Sequence, residues 1–235
     1  MTRRQAATWL AAARDEVAPL VALGVLALSA LAFLRIADEM VERETHVIDR
    51  AILTALREPA DLTRPIGPAW LKVMAMDLTS LGSLAVLGLI VLMVAGLFAA
   101  LRRWREAAVI LLTAGGGLML SNGLKLVFGR ERPDAVFQVV PTINASFPSG
   151  HALLSAVVFL TLGASVARFT ERRRIRVYAL ACAVTITLVV GLTRVYLGVH
   201  WPTDVLAGWC LGAGWASLSW LAEWTWTRRR GPVQG

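Results

Sequence analysis

Residues 107–127 read AAVILLTAGGGLMLSNGLKLV, a nearly unbroken apolar stretch with one ionisable side chain, Lys125, close to its end. A helix needs about 20 consecutive apolar residues to cross the hydrocarbon core of a bilayer. The three consecutive glycines in this stretch would weaken a soluble helix, but inside a membrane they allow helices to approach closely. The stretch therefore predicts a membrane-spanning helix that carries a charge near one end.

Similar apolar stretches occur on both sides of this one, which predicts a polytopic membrane protein. Of the 235 residues, 57% are hydrophobic and 17% are charged, whereas a soluble domain is usually about half apolar and about a quarter charged. We predict an all-α fold in which six transmembrane helices form one bundle, with residues 1–235 as a single domain. The predicted spans cover residues 17–33, 81–101, 107–127, 151–167, 177–192 and 205–221.

Clusters of arginine orient the predicted bundle. They stand before the first span and after the second, fourth and sixth spans, which is one side of the membrane in a six-span protein. The positive-inside rule makes that side cytoplasmic, with both termini inside and the connections after spans one, three and five outside. Since this topology explains the net charge of +8, we expect no nucleic-acid partner. We also expect no cleavable signal, because the first apolar run is long enough to span.

The outer segment 37–72 contains a shorter pattern. Apolar residues recur at helical spacing from Val47 to Leu56, and prolines follow at 59, 65 and 68. We interpret this pattern as a short amphipathic helix on the outer membrane surface. The helix could act as a lid or lipid guide, or it could belong to a covering loop.

Two outward connections collect cationic side chains at membrane depth. Lys125 and Arg132 belong to the connection after span three, and Arg194 lies at the end of span five. Long cationic side chains can snorkel to the interface, but ionisable groups at this depth usually indicate function. Arginine presents a planar fork of donors to phosphate oxygens, and lysine adds a compact charge. Together the three cations predict a phosphate site.

The same connections end in helix starts that suit an anion. Ser149 and Gly150 precede span four, where serine favours a helix N-cap and glycine lets the backbone approach a ligand. Free N–H groups at a helix start bind anions. Neither the two cysteines nor any cluster of carboxylates or histidines has metal-ligand spacing, so we expect no metal site and no cofactor.

The chain has three histidines, and two of them lie beside this predicted cradle. His151 directly follows Gly150, whereas His46 is expected to be a solvated surface residue. His200 and Asp204 are four residues apart, which would place both on one face of a helix. Asp204 could then hold one ring nitrogen of His200 and leave the other free to attack. The alternative for this pair is an ordinary helix-capping network.

These residues resemble the signature of the type 2 phosphatidic acid phosphatase superfamily. Its first block, Lys, six residues, Arg-Pro, is matched from Lys125 to Arg132-Pro133, and its second, Pro-Ser-Gly-His, by residues 148–151. The third block, Ser-Arg, five residues, His, three residues, Asp, is matched by Arg194, His200 and Asp204. Thr193 stands where the pattern has Ser, and it keeps the hydroxyl. The signature covers residues 125–204.

The resemblance implies a metal-independent phosphatase that acts on a lipid phosphate through a phosphohistidine. It implies that His200 attacks phosphorus, that Asp204 orients His200, and that His151 protonates the leaving group and then activates water. The implied phosphate-binding residues are Lys125, Arg132, Ser149, Gly150 and Arg194. Besides the substrate, membrane lipids would be its partners.

Two other functions share part of this pattern. Vanadium-dependent haloperoxidases have the same signature, but their known members are soluble and larger. A membrane protein with a decayed site is a further alternative, against which the complete set of catalytic residue types speaks. The resemblance leaves undecaprenyl diphosphate, phosphatidylglycerophosphate and phosphatidic acid as candidate substrates, with the first slightly favoured. It also indicates a bacterial inner-membrane protein whose active site faces outward.

Overall fold

The computed structural model describes residues 3–140, 142 and 144–229. Within these residues the chain is mainly α-helical, with one short hairpin, Arg57–Glu58 (β1) and Asp61–Pro65 (β2), and a 3-10 turn at Ala135–Phe137. The helices are α1 (Arg3–Val41), α2 (His46–Ala55), α3 (Ala69–Ser80), α4 (Leu84–Ala100), α5 (Trp104–Phe128), α6 (Gly150–Arg168), α7 (Arg173–Tyr196) and α8 (Pro202–Arg229).

The prediction of a six-span helical membrane protein is confirmed, with one span broken. Helices α5, α6, α7, α8 and the Val17–Val41 part of α1 are each long and apolar enough to cross a membrane. The sixth candidate is the pair of α3 and α4, which meet at an angle of 45°. The predicted continuous span 81–101 is therefore wrong at its start. Residues 81–83 interrupt the helix, and the Ser83 hydroxyl caps α4 by accepting a hydrogen bond from the Val86 N–H at 3.3 Å.

The outer segment contains the predicted short helix together with a strand pair that the all-α prediction lacked. Helix α2 buries Asp49 and Leu53 and exposes Val47 and Ile48. After it, β1 and β2 pair in antiparallel fashion. At the start of β2 the Asp61 carboxylate accepts the Thr63 N–H at 3.0 Å, a local bond of the kind that competes with helix formation.

Four helix ends meet at one end of the bundle. Helix α5 ends at Gly129, which has φ +54°, a conformation that glycine adopts without strain. Helix α6 begins and α7 ends at the same level, and Pro202 opens α8 in the position where its missing N–H is harmless. Gly208 lets α8 approach α6 closely, because a Cβ atom there would lie 2.7 Å from the Ser149 carbonyl oxygen. The signature residues lie at this end.

Candidate active site

The centre of the site is a buried histidine–aspartate pair. His200 Nδ1 lies 3.3 Å from Asp204 Oδ2, with the two side chains 2% and 0% exposed. The prediction that His200 and Asp204 lie on one face of a helix is wrong, because His200 lies in the connection before α8. The carboxylate reaches back from the first turn of α8, and the same Oδ2 accepts the Trp201 N–H at 2.9 Å. This return contact brings the pair together.

Arg132 lies on the other side of the His200 ring. Its Nη1 is 3.3 Å from His200 Nε2 and donates to the Val199 carbonyl at 2.6 Å. A guanidinium can only donate and a carboxylate can only accept. Both ring contacts are therefore satisfied together when Nδ1 carries the proton and Nε2 presents its lone pair. Burial, together with the charges of Arg132, Arg194 and Lys125, lowers the pKa of His200 well below its usual range.

Lys125 and the start of α6 form the second part of the site. A Cβ atom on Gly150 would lie 3.6 Å from Lys125 Nζ, so the ammonium group sits beside the first residue of α6. Ser149 occupies the N-cap position, as predicted, but its side chain caps nothing. The Ser149 hydroxyl is buried without a hydrogen-bond partner among the described residues. An unsatisfied buried hydroxyl is costly, so it is a group available to a ligand.

Arg194 and His151 contact the end of α3 and the break that follows it. Arg194 is 6% exposed and donates from Nη1 to the Thr79 hydroxyl at 3.0 Å, while its Nε has no partner among the described residues. A Cβ atom on Gly82 would lie 3.2 Å from His151 Cδ2, so the break packs directly against the histidine. His151 interacts electrostatically with His200 and with the three cations. All eight predicted site residues therefore lie together.

Four residues around this site were not assigned to it from the sequence. Thr79 and Gly82 come from a segment that carries no signature. Asp49 of α2 and Arg130 form a buried ion pair at 2.7 Å, and Arg130 also contacts Asp204 at 2.6 Å. A weak signal was present for Asp49, which is a carboxylate four residues before the buried Leu53 on an otherwise apolar helix face. His46, by contrast, is exposed, as expected.

The arrangement is suited to binding an anion. Within the part of the chain that the structure describes, no group of three or more His, Cys, Asp or Glu side chains could hold a metal ion. The site instead offers three cationic side chains, the N-terminus of α6 and the Nε2 nitrogen of His200. Phosphoryl transfer depends mainly on positioning and on stabilising charge on the phosphate oxygens, which these groups can supply.

The model of the PAP2 superfamily matches residues 106–228, just over half of the chain. The chain belongs to the PAP2 superfamily. The resemblance found in the signature is thus confirmed. Phosphatidylglycerophosphatase B of Bacillus subtilis is 35% identical over 147 residues, which cover 61% of this chain and 70% of that protein. Undecaprenyl-diphosphatase of Sulfolobus acidocaldarius is 36% identical over 107 residues, which cover 46% of this chain and 45% of that protein.

A solved structure has the same fold over most of the chain. It is described as the first transmembrane PAP2 type phosphatidylglycerolphosphate phosphatase from Bacillus subtilis, and it matches with a TM-score of 0.75 and 28% identity. The match covers 86% of this chain and 98% of that one. The chain is therefore a multi-pass membrane phosphatase of the PAP2 superfamily, acting on lipid phosphates.

Proposed function

We propose that this phosphatase works through a covalent phosphohistidine on His200 and needs no metal ion. The observation that carries the proposal is the position of His200 between Asp204 on Nδ1 and Arg132 on Nε2. In this arrangement the lone pair of Nε2 points toward the cationic groups, where a phosphate would bind. The carboxylate stabilises the positive charge that develops on the ring when Nε2 bonds to phosphorus.

Two half-reactions complete the cycle. In the first, the Nε2 lone pair attacks phosphorus, the bond from phosphorus to the leaving oxygen breaks, and protonated His151 gives that oxygen its proton. In the second, His151 takes a proton from water while the water oxygen attacks phosphorus, the P–N bond breaks and phosphate is released. His151 serves as acid and then as base, so each half-reaction restores what the other consumed.

The cations and the start of α6 hold the phosphoryl oxygens. Lys125, Arg132 and Arg194 neutralise the charge that spreads over these oxygens in the transition state. The Ser149 hydroxyl and the Gly150 N–H add neutral donors at the positive end of α6. The support is that the Ser149 hydroxyl and Arg194 Nε are buried without partners among the described residues. A bound phosphate would give both a partner.

The substrate proposal names two lipids. Phosphatidylglycerophosphate is favoured because the phosphatidylglycerophosphatase B of Bacillus subtilis matches over the larger share of both chains. Undecaprenyl diphosphate is the second candidate, from the likeness to an undecaprenyl-diphosphatase and because such a carrier is recycled on the outer face of the membrane. The cationic groups would bind the phosphate of either lipid. Selectivity between the two lipids must therefore come from contacts with the lipid tail.

We place the protein in the bacterial inner membrane with its termini in the cytoplasm and the site outside. The support is that the arginine-rich helix ends meet at the end of the bundle opposite the site, where Arg168 pairs with Glu223 at 2.7 Å. The positive-inside rule then sets the orientation. With Cys182 and Cys210 replaced by serine, a cysteine at Ala135 should react with an impermeant reagent in intact cells. A cysteine at Thr170 should react only after permeabilisation, and the reverse pattern would reject the topology.

Phosphate release from a panel of defined lipid phosphates, by purified protein in detergent, tests the activity. We expect release from phosphatidylglycerophosphate or undecaprenyl diphosphate to continue in excess chelator and to be inhibited by vanadate, which resembles the transition state. His200→Ala should release nothing above the blank. Activity that is lost on chelation and restored by added metal would contradict the mechanism, and so would full activity of His200→Ala.

A further inference from the structure

Arg130 lies between two buried carboxylates that come from distant parts of the chain. Its Nη2 donates to Asp49 Oδ2 at 2.7 Å, and its Nη1 donates to Asp204 Oδ1 at 2.6 Å. Both carboxylate side chains are 0% exposed, and that of Arg130 is 11% exposed. Charged groups leave water at a high cost unless they are paired and hydrogen-bonded, and here each charge has such a partner.

Asp49 also holds the first turn of α8. Its Oδ1 accepts the Thr203 N–H at 3.0 Å, and its Oδ2 accepts the Thr203 hydroxyl at 2.6 Å. Because α8 begins at Pro202, this N–H is one of the donors that a helix start leaves unpaired. A carboxylate at this place also interacts favourably with the positive end of the helix. Asp49 thus does for α8 what an N-cap side chain does, but from another helix.

The carboxylate of Asp204 is fixed through both of its oxygens. Oδ1 accepts from Arg130, whereas Oδ2 accepts the Trp201 N–H and faces His200 Nδ1. A carboxylate held in this way cannot rotate away from the ring. The group behind a catalytic histidine sets the tautomer and the direction of the free nitrogen. Whatever fixes Asp204 therefore also aims His200.

We propose that Asp49, acting through Arg130 and Thr203, is a positioning residue that fixes Asp204 against His200. Helix α2 is then part of the catalytic apparatus and does not act as a mobile lid. The inference rests on the proposed function, in which His200 attacks phosphorus. If α2 swung away from the site, it would break the bonds from Asp49 to Arg130 and to the start of α8, and so release the carboxylate that orients the nucleophile.

A second ion pair gives a matched control. Asp134 pairs with Arg50 of α2 at 3.4 Å, and the two side chains are 55% and 54% exposed. This pair also joins α2 to the connection after α5, but exposed ion pairs contribute little. Asp134→Asn therefore makes the same chemical change as Asp49→Asn, in a link between the same two segments that has no contact with Asp204.

The test measures kcat, KM and thermal unfolding in detergent for Asp49→Asn, Thr203→Val and Asp134→Asn. At metal sites, mutation of a residue that orients a ligating histidine typically lowers metal affinity or activity by about 10- to 100-fold, and we take the same order of magnitude for a residue that orients His200. We expect kcat to fall by about that factor in the first two variants while KM changes little, and Asp134→Asn to stay near wild type. A purely structural role would lower the unfolding temperature without lowering kcat per folded active site.

Asp204→Asn and the double variant with Asp49→Asn complete the design. If Asp49 acts through Asp204, the double variant should be no slower than Asp204→Asn alone. Equal kcat values for Asp49→Asn and Asp134→Asn, or losses that multiply in the double variant, would overturn the inference. If Asp49→Asn yields no folded protein, Thr203→Val decides the question by the same comparison. Full turnover by His200→Ala would instead reject the proposed function, independently of the result for Asp49.

Discussion

Both ends of the helix bundle carry cationic side chains, but their partners differ. At the end away from the site, Arg168 pairs with the carboxylate of Glu223 at 2.7 Å. At the site end, Arg132 and Arg194 donate to hydroxyl or carbonyl oxygens. Within the described residues, Arg132, Arg194 and Lys125 form no ion pair with a carboxylate.

We interpret the difference between Arg168 and Arg194 as one between a cation that serves the fold and a cation that serves a ligand. Burial without a carboxylate partner is not sufficient for this, because Arg57 is 2% exposed and donates only to carbonyl oxygens. Burying a charge without an opposite charge beside it costs stability. At the arginine-rich end Arg168 is paired with Glu223, and Arg176 is only partly buried although its Nε has no partner among the described residues. At the site end Arg194 is 6% exposed. An anionic ligand would supply the missing partner. Groups that lower stability in the absence of a ligand are typical of functional sites.

Among the variants that compare the two ends of the bundle, Arg194→Gln should lower kcat the most. Removal of one donor to the transition state typically costs about 100- to 1,000-fold in kcat. The unfolding temperature in phosphate-free buffer should not fall, because the variant removes an uncompensated buried charge. Added phosphate or vanadate should stabilise the wild type by mass action and this variant much less.

Arg176→Gln is the control for this variant, because it changes the same residue type at the opposite end of α7. Its activity and its stabilisation by vanadate should match the wild type. Equal activity losses in Arg194→Gln and Arg176→Gln would show that the two ends of the bundle do not differ as described.

Gly82→Ala should cause the next largest loss of kcat. A Cβ atom there would lie 2.5 Å from Val190 Cγ1 and 3.2 Å from His151 Cδ2. Overpacking of this kind costs about 1–3 kcal/mol, and small misplacement of a catalytic group can lower the rate by up to about 100-fold. We expect kcat to fall and thermal stability to decrease together. Gly88→Ala is the control, because nothing lies within 4 Å of a Cβ atom at that position.

The pH dependence of kcat/KM reports on the cations around His200. Their charges and burial lower the pKa of His200 well below its usual range, so the ring stays neutral as the pH falls through about 6.5 and takes up a proton only below that. With an aryl phosphate, and after correction for ionisation of the substrate, kcat/KM should stay flat between about pH 8 and 6.5. A loss of kcat/KM as the pH falls, with a pKa at or above 6.5 that belongs to the enzyme, would contradict this electrostatic environment.

Arg168→Gln should change activity and thermal stability the least. Its ion pair with Glu223 is partly exposed, with the side chains 38% and 13% exposed, and such pairs contribute about 1 kcal/mol or less. We expect wild-type kcat and KM and a slightly lower unfolding temperature. A loss of activity comparable to that of Arg194→Gln would show that the arginine-rich end takes part in the reaction.

The parts of the site that could be predicted are those encoded by local spacing. The helix starts at Gly150 and Pro202 and the end of α5 near Lys125 follow from residues that are close in sequence, and the three signature blocks are specific enough to identify the superfamily. The six apolar segments were recognised for the same reason, since membrane spans are read directly from composition. The first half of the broken second span was missed because Lys72 and Asp77 interrupt the apolar pattern of α3, whereas an uncharged apolar stretch begins at Leu81.

The remaining features depend on contacts between distant segments. Asp49 and Arg130 are 81 residues apart, and Thr79 and Arg194 are 115 residues apart. No periodicity or spacing encodes such pairs, because they arise only when helices pack. The helical explanation for the contact between His200 and Asp204 failed for a related reason. The spacing was compatible with a helix, but the chain before Pro202 turns back and reaches the same contact in another way.

Rapid-quench trapping of the phosphoenzyme tests the central claim most directly. Wild-type protein is mixed with a labelled aryl phosphate, quenched under alkaline conditions that preserve phosphohistidine, and mapped by mass spectrometry of its peptides. We predict label on His200, no label in His200→Ala, and slower loss of label in His151→Ala, because the group that activates water is then absent. Label on His151 in the His200→Ala protein, or wild-type turnover by that protein, would contradict the account.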